Sequence, residues 1–268
     1  MTNRPTLSRR YLGVMLKRLR EAAGLDVYKV AEHIGYDRTA LGRWEQGINV
    51  PKIPTIRALA ELYGASSVEL SKLTTYATQA KRRGVYEHAN LPIEVRMLYE
   101  AEPVADVIQS LELDYLPGLV QTPEYLRATQ AVQIPHPTEV DTAVQDLRRQ
   151  RQEAVFDNRS PRVELVFGQS ALLYLDSMPE IKSGQVARLR ELAALDTVDI
   201  RVLTGLHAAM VGAFTIIEPD SGNEAASFVF LESADGCRYL EDRDVVSRYR
   251  QTFRLCQKQA SPLEEYLR

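Results

Sequence analysis

A chain of 268 residues, 45% hydrophobic and 26% charged, is long enough for two domains with a core each, and no window approaches the ~20 consecutive apolar residues of a membrane span. The net charge of −3 conceals an asymmetry: residues 1–84 carry 15 Lys and Arg against 7 Asp and Glu, net +8, whereas residues 85–268 carry 18 against 29, net −11. A basic segment of that strength suits a polyanion, which would repel a uniformly acidic protein.

In chain order, Leu12, Met15, Leu16, Leu19 and Ala23 recur at three and four residues, the stripe of an amphipathic helix that Gly24 closes. Asp26 is placed to cap a second helix with Val27, Val30, Ala31 and Ile34 on its face, ending at Gly35. Asp37 caps a third, from Arg38 to Gln46, with Leu41 and Trp44 turned inward and Gly47 as its stop. Pro54 opens a fourth with Ile56, Leu59, Ala60 and Tyr63 on one face, and residues 68–80 read as a fifth. The polar run KRRGVYEHANLP has no period and ends in proline, so a boundary is expected there, dividing the chain into residues 1–84 and 85–268. Beyond it, helices are expected over 96–111 and 139–157. The segment EPVADVIQSLELDYLPGLVQTPEYLRA reads as a helix hairpin around a Pro-Gly turn. The runs VELVF, VDIRVLT, GAFTIIE and SFVFLE read as strands alternating with helices near 179–195 and 242–259.

The second and third helices, joined by Gly35, Tyr36 and Asp37, have helix-turn-helix spacing, and small Ala31 lets the third cross closely over the second. The segment LKRLREAAGLDVYKVAEHIGYDRTALGRWEQGINVPKIPTIRALAELYG resembles the Xre-type, phage-repressor-like helix-turn-helix family. The resemblance places Arg38, Thr39 and Arg43 at base edges in the major groove, where an arginine forks onto guanine O6 and N7. Phosphate contacts would come from helix N-termini and from Lys17, Lys29, Gln46 and Lys52. The second helix begins Val27, Tyr28, where family members often carry glutamine to touch a phosphate or adenine; here Tyr28 either substitutes through its hydroxyl or simply packs. Arg20 and Glu45 match a buried structural ion pair of that family. The fold implied is an all-α, five-helix repressor-like domain followed by a mixed α/β (α+β) domain.

Residues Pro117, Gly118, Leu119, Gln121 and Thr122, followed by Glu124, Tyr125 and Ala128, resemble the hallmark of the second domain of WhiJ-like and antitoxin-like actinobacterial regulators. Glu102, Ala105 and Ile108 before it, and Arg148, Arg151 and Gln152 after it, fit the same pattern. The resemblance implies a small partner protein and control of development, secondary metabolism or a toxin-antitoxin-like pair.

Nothing in the residues points to catalysis or a cofactor. His33, His88, His136 and His207 have no metal-ligand spacing, and no nucleophile elbow or phosphate loop occurs. Cys237 and Cys256 form no ligand motif and read as small core residues. The run LRRQRQ at 147–152, in an acidic domain, is expected to form salt bridges rather than a second nucleic-acid patch. The polar start MTNRPTLSRR has no secretory apolar stretch, so a cytoplasmic, nucleoid-associated protein is expected. Its expected partners are double-stranded DNA, a second copy of itself and a modulator bound through residues 85–268. That modulator is either a small protein covering 96–132 or the strand edges, or a small molecule lined by Tyr115, Tyr125, Phe167, Tyr174 and Phe214. A chromosome-organising DNA binder is the reading from a different class.

Overall fold

The computed structural model describes residues 7–81, 93–132, 142–156, 161–210, 212–219, 227–233 and 236–268. The chain divides into two compact units, Met1–Val104 and Ala105–Arg268. The boundary expected after residue 84, the first residues of the helix expected from 139, and His88 and His136 lie outside the described residues.

The first unit is helical: α1 (Leu7–Ala22), α2 (Val27–His33), α3 (Arg38–Glu45), α4 (Ile53–Leu62), α5 (Ser67–Lys81) and α6 (Ile93–Ala101), then a 3-10 turn at Glu102–Val104. The apolar stripes converge, and Leu12, Leu16, Leu41, Ile56, Leu59 and Leu73 are completely buried. Each such side chain contributes ~1.5–3 kcal/mol through its removal from water. Asp26 and Asp37 cap α2 and α3 by accepting from Tyr28 N at 2.7 Å and Ala40 N at 2.9 Å. Gly35 ends α2 at φ +70°, where the N–H of Tyr36 reaches back to Ala31 O at 2.9 Å. Gly13 lets α1 lie against the end of α3, since a Cβ there would fall 2.5 Å from Glu45 O and 2.6 Å from Trp44 O.

The second unit is a mixed seven-stranded sheet with helices. Its strands are β1 (Val107–Glu112), β2 (Arg162–Gly168), β3 (Val198–Leu203), β4 (Phe214–Glu218), β5 (Phe228–Ser233), β6 (Gly236–Leu240) and β7 (Ser261–Pro262), in the order β6-β5-β4-β1-β2-β3-β7. β1, β2 and β3 run parallel in register, Ile108 beside Val163 and Leu165 beside Ile200; β4 pairs antiparallel with β1. The helices are α7 (Pro123–Ala131), α8 (Thr142–Phe156), α9 (Ser170–Leu173), α10 (Pro179–Ala193), α11 (Arg243–Gln259) and α12 (Leu263–Tyr266). From α11, Val246, Phe253 and Cys256 pack into a core with Val166, Leu203, Phe214, Ile216 and Val229.

The four runs read as strands are β2, β3, β4 and β5, while the helix expected over 96–111 stops at Ala101 and its second half is β1. The Pro-Gly turn therefore joins a strand to a helix, and the helix hairpin does not exist. The reason is that β1 is the central strand: Ile108, Gln109, Ser110 and Leu111 are all buried, so no alternation marks it. Its two buried polar residues find partners in neighbouring strands, Gln109 donating to Glu164 at 2.7 Å and Ser110 pairing with Thr215 at 3.2 Å. Cys256 is a core residue as expected, whereas Cys237 on β6 is only half-buried.

Candidate nucleic-acid interface

α2 and α3 form a helix-turn-helix whose inner side is fixed by Val30, Ala31, Leu41 and Trp44, all buried. Tyr36, in the turn, sets its ring edge-on to Trp44 with centroids 5.0 Å apart. With its inner side so occupied, α3 leaves Arg38, Thr39 and Arg43 exposed, Thr39 and Arg43 one turn apart on the same face. Tyr28, Lys29, Gln46 and Lys52 are exposed as well, as is Lys17, which lies 3.9 Å from Glu21. The carboxyl of Asp37 is held below the usual carboxylate range, chiefly by the Ala40 N–H. Its negative charge occupies part of the free N–H cluster at the start of α3. Tyr28 meets Arg38: the guanidinium lies over the ring, 5.2 Å from its centroid, and Nη1 donates to the Tyr28 hydroxyl.

Arg20 and Glu45 tie α1 to the end of α3. Arg20 Nε donates to Oε1 at 2.6 Å and Nη2 to Oε2 at 3.0 Å, a two-pronged pair with side chains only 10% and 8% exposed. Arg20 Nη1 also donates to Leu25 O at 2.9 Å. Burial, with Glu45 nearby, pushes the Tyr63 phenol well above its ordinary range, so it is a neutral neighbour of this pair.

The stretch from Pro117 to Thr122 is a loop packed into the second unit, and it and the first turn of α7 bury Pro117, Leu119, Val120, Gln121 and Tyr125. A buried loop has polar backbone atoms that need partners, and side chains supply them. Gln121 Nε2 donates to Leu116 O at 2.7 Å, and the Tyr125 hydroxyl accepts from Leu116 N at 3.2 Å. Gln185 on α10 donates to Val120 O at 2.8 Å and accepts from Thr122 N at 2.8 Å. Gln152 on α8 donates to Gly118 O at 3.1 Å and Gln121 O at 2.9 Å. Thr122 caps α7. Gly118 lies under two arginines: a Cβ would sit 1.8 Å from Nη1 of Arg148 and 2.8 Å from Nη1 of Arg151, so those flexible side-chain ends would have to shift to admit one.

Residues 11–73 match a helix-turn-helix domain, and residues 95–267 match a domain of unknown function, DUF5753. The chain belongs to the DUF5753 family. The first match makes this DUF5753 protein a DNA-binding regulator of the helix-turn-helix kind. No curated protein and no solved structure matches it. Among the described residues, no helix is long and apolar enough to cross a membrane, and no cluster of His, Cys, Asp and Glu is arranged to hold a metal ion.

Within the DUF5753 match, the arginine run divides by role. Arg149 pairs with Glu153 at 2.7 Å and Asp146 at 3.5 Å, while Arg148 and Arg151 turn to Gly118. Two residues escaped sequence reading. Gln185 stands in an ordinary amphipathic helix, and Glu112 looks like a surface acid at a strand end. Burial first, then the Glu232 charge, lift the Glu112 carboxyl to about 7 against the opposing charge of Arg151. Gln121 Oε1 is a buried acceptor without a partner among the described residues.

Proposed function

We propose that this regulator reads a specific operator through Arg38, Thr39 and Arg43. Lys17, Lys29 and Lys52 neutralise phosphates, the Gln46 amide donates a hydrogen bond to one, and two copies act as a homodimer on a roughly palindromic site with half-sites ~34 Å apart. The observation that carries the reading is the open face of α3: three polar side chains suited to base edges stand exposed where the inner face is fully packed. The charge of residues 1–84, net +8, supports it, and so does the resemblance to Xre-type regulators. Its place of work is the cytoplasm, on the nucleoid.

Residues 85–268 bind the modulator, and a small partner protein of the kind implied by the WhiJ-like and antitoxin-like resemblance fits best. At the carboxyl end of the parallel strands, the segments following β1, β2 and β3 expose Tyr115, Leu173, Tyr174, Leu206 and Met210, Leu206 at 81%. Ser170 Oγ, donating to Leu113 O at 2.9 Å, and Gln169 N, donating to Leu203 O at 3.0 Å, hold those segments side by side. Clustered apolar exposure of this kind suits a protein interface. A small-molecule effector is the second reading, favoured by the half-buried Glu112 with its raised pKa and by the Gln121 oxygen, which has no partner among the described residues.

Chromatin immunoprecipitation with sequencing tests the main reading by comparing the native chain with an Arg38→Ala, Arg43→Ala double variant. Sharp promoter peaks that vanish in the variant are expected. Peaks that persist unchanged would show that α3 does not read the operator.

A further inference from the structure

We infer that Tyr28 is a positioning residue for base readout, holding the Arg38 guanidinium so that the first turn of α2 governs what the first residue of α3 selects. This rests on the operator-reading role proposed above for Arg38.

An exposed arginine ordinarily samples many rotamers, and a base contact must immobilise it. Here the search is already narrowed. The Arg38 guanidinium stacks over the Tyr28 ring, 5.2 Å from its centroid, and one Nη1 proton is donated to the Tyr28 hydroxyl. The ring's own backbone is anchored, because Tyr28 N donates to the capping Asp26 carboxylate at 2.7 Å. Of the five guanidinium protons, those on the Nε–Nη2 edge remain available to fork onto guanine.

The hydroxyl is not exhausted by this contact. Its oxygen accepts from Arg38, so its proton is free to donate, and the acceptors surrounding a groove-bound helix are phosphate oxygens. A chain of phosphate, Tyr28, Arg38 and base then couples the backbone contact to the base contact. The fold does not demand this contact, since α2 packs through Val30 and Ala31 while Tyr28 is 60% exposed. Substitutions at Tyr28 therefore test recognition and leave folding intact.

The test is selection of duplexes from a random-sequence library by the full-length chain, with wild type, Tyr28→Phe, Tyr28→Ala, Arg38→Ala and the Tyr28→Ala, Arg38→Ala double variant, each also melted thermally. Arg38→Ala is expected to flatten preference at one position of the half-site. Tyr28→Ala should weaken preference at that same position about three- to tenfold, Tyr28→Phe should fall between, and the double variant should be no flatter there than Arg38→Ala, all with unchanged melts. Full preference at that position in Tyr28→Ala, or a loss spread evenly over all positions, overturns the proposal. If Arg38→Ala alters no preference, the proposal falls while operator reading by other residues stands. If wild type enriches no sequence, operator reading itself falls and takes this proposal with it.

Discussion

Glu112 shows how a single residue is changed by its setting. A carboxyl lifted to about 7 from 4.5 binds its proton more tightly folded than unfolded, so its contribution to stability is fully present below pH 4.5 and is lost as pH rises through about 7. Replacing it by Glu112→Gln removes that dependence. The variant should gain about 2 kcal/mol over wild type between pH 5 and pH 8, read as a melting temperature that moves above the wild type's only at the higher pH. A variant whose difference from wild type is the same at both pH values would show that the carboxyl is not desolvated. Neither this property nor the Tyr28–Arg38 contact could be read from the chain, because each depends on groups brought together from separate elements. The capping aspartates were legible, since a cap and its target N–H lie within three residues of each other.

At the scale of elements, legibility followed how each surface is shared. α1 to α5 have one wet face and one dry face, so their stripes mark them. β1 has no wet face, and Val104, Val107, Ile108 and Leu111 happen to repeat at three and four, which is why the segment reads as a helix. The short β6, β7, α9 and α12 carry too few residues for any period to register. The crossing of α1 over the end of α3 depends on Gly13, whose missing Cβ leaves room for two backbone carbonyls. Gly13→Ala forces those helices apart, and a loss of about 1–3 kcal/mol in denaturant unfolding is expected, despite alanine's better helix propensity. An alanine variant as stable as wild type would mean that the two helices can separate without cost.

Over the whole molecule, the charge asymmetry has a measurable consequence. Association with DNA driven by residues 1–84, net +8, should weaken steeply as salt rises, and Lys29→Ala or Lys52→Ala should each reduce the slope of log affinity against log salt by about 1 for every DNA sequence alike. A slope untouched by both would remove these lysines from the phosphate contacts. The acidic remainder, net −11, opposes that attraction.

The central position of β1 also governs the order in which the protein can be made. Its neighbour on one side, β4, lies far along the chain, Ser110 and its partner Thr215 being 105 residues apart. On the ribosome, the helical unit can complete its local contacts as it emerges, but the middle of the sheet stays open until β4 has been synthesised. The growing polypeptide therefore passes through a stage in which the helix-turn-helix is assembled while the strand that anchors the rest still lacks one of its two partners.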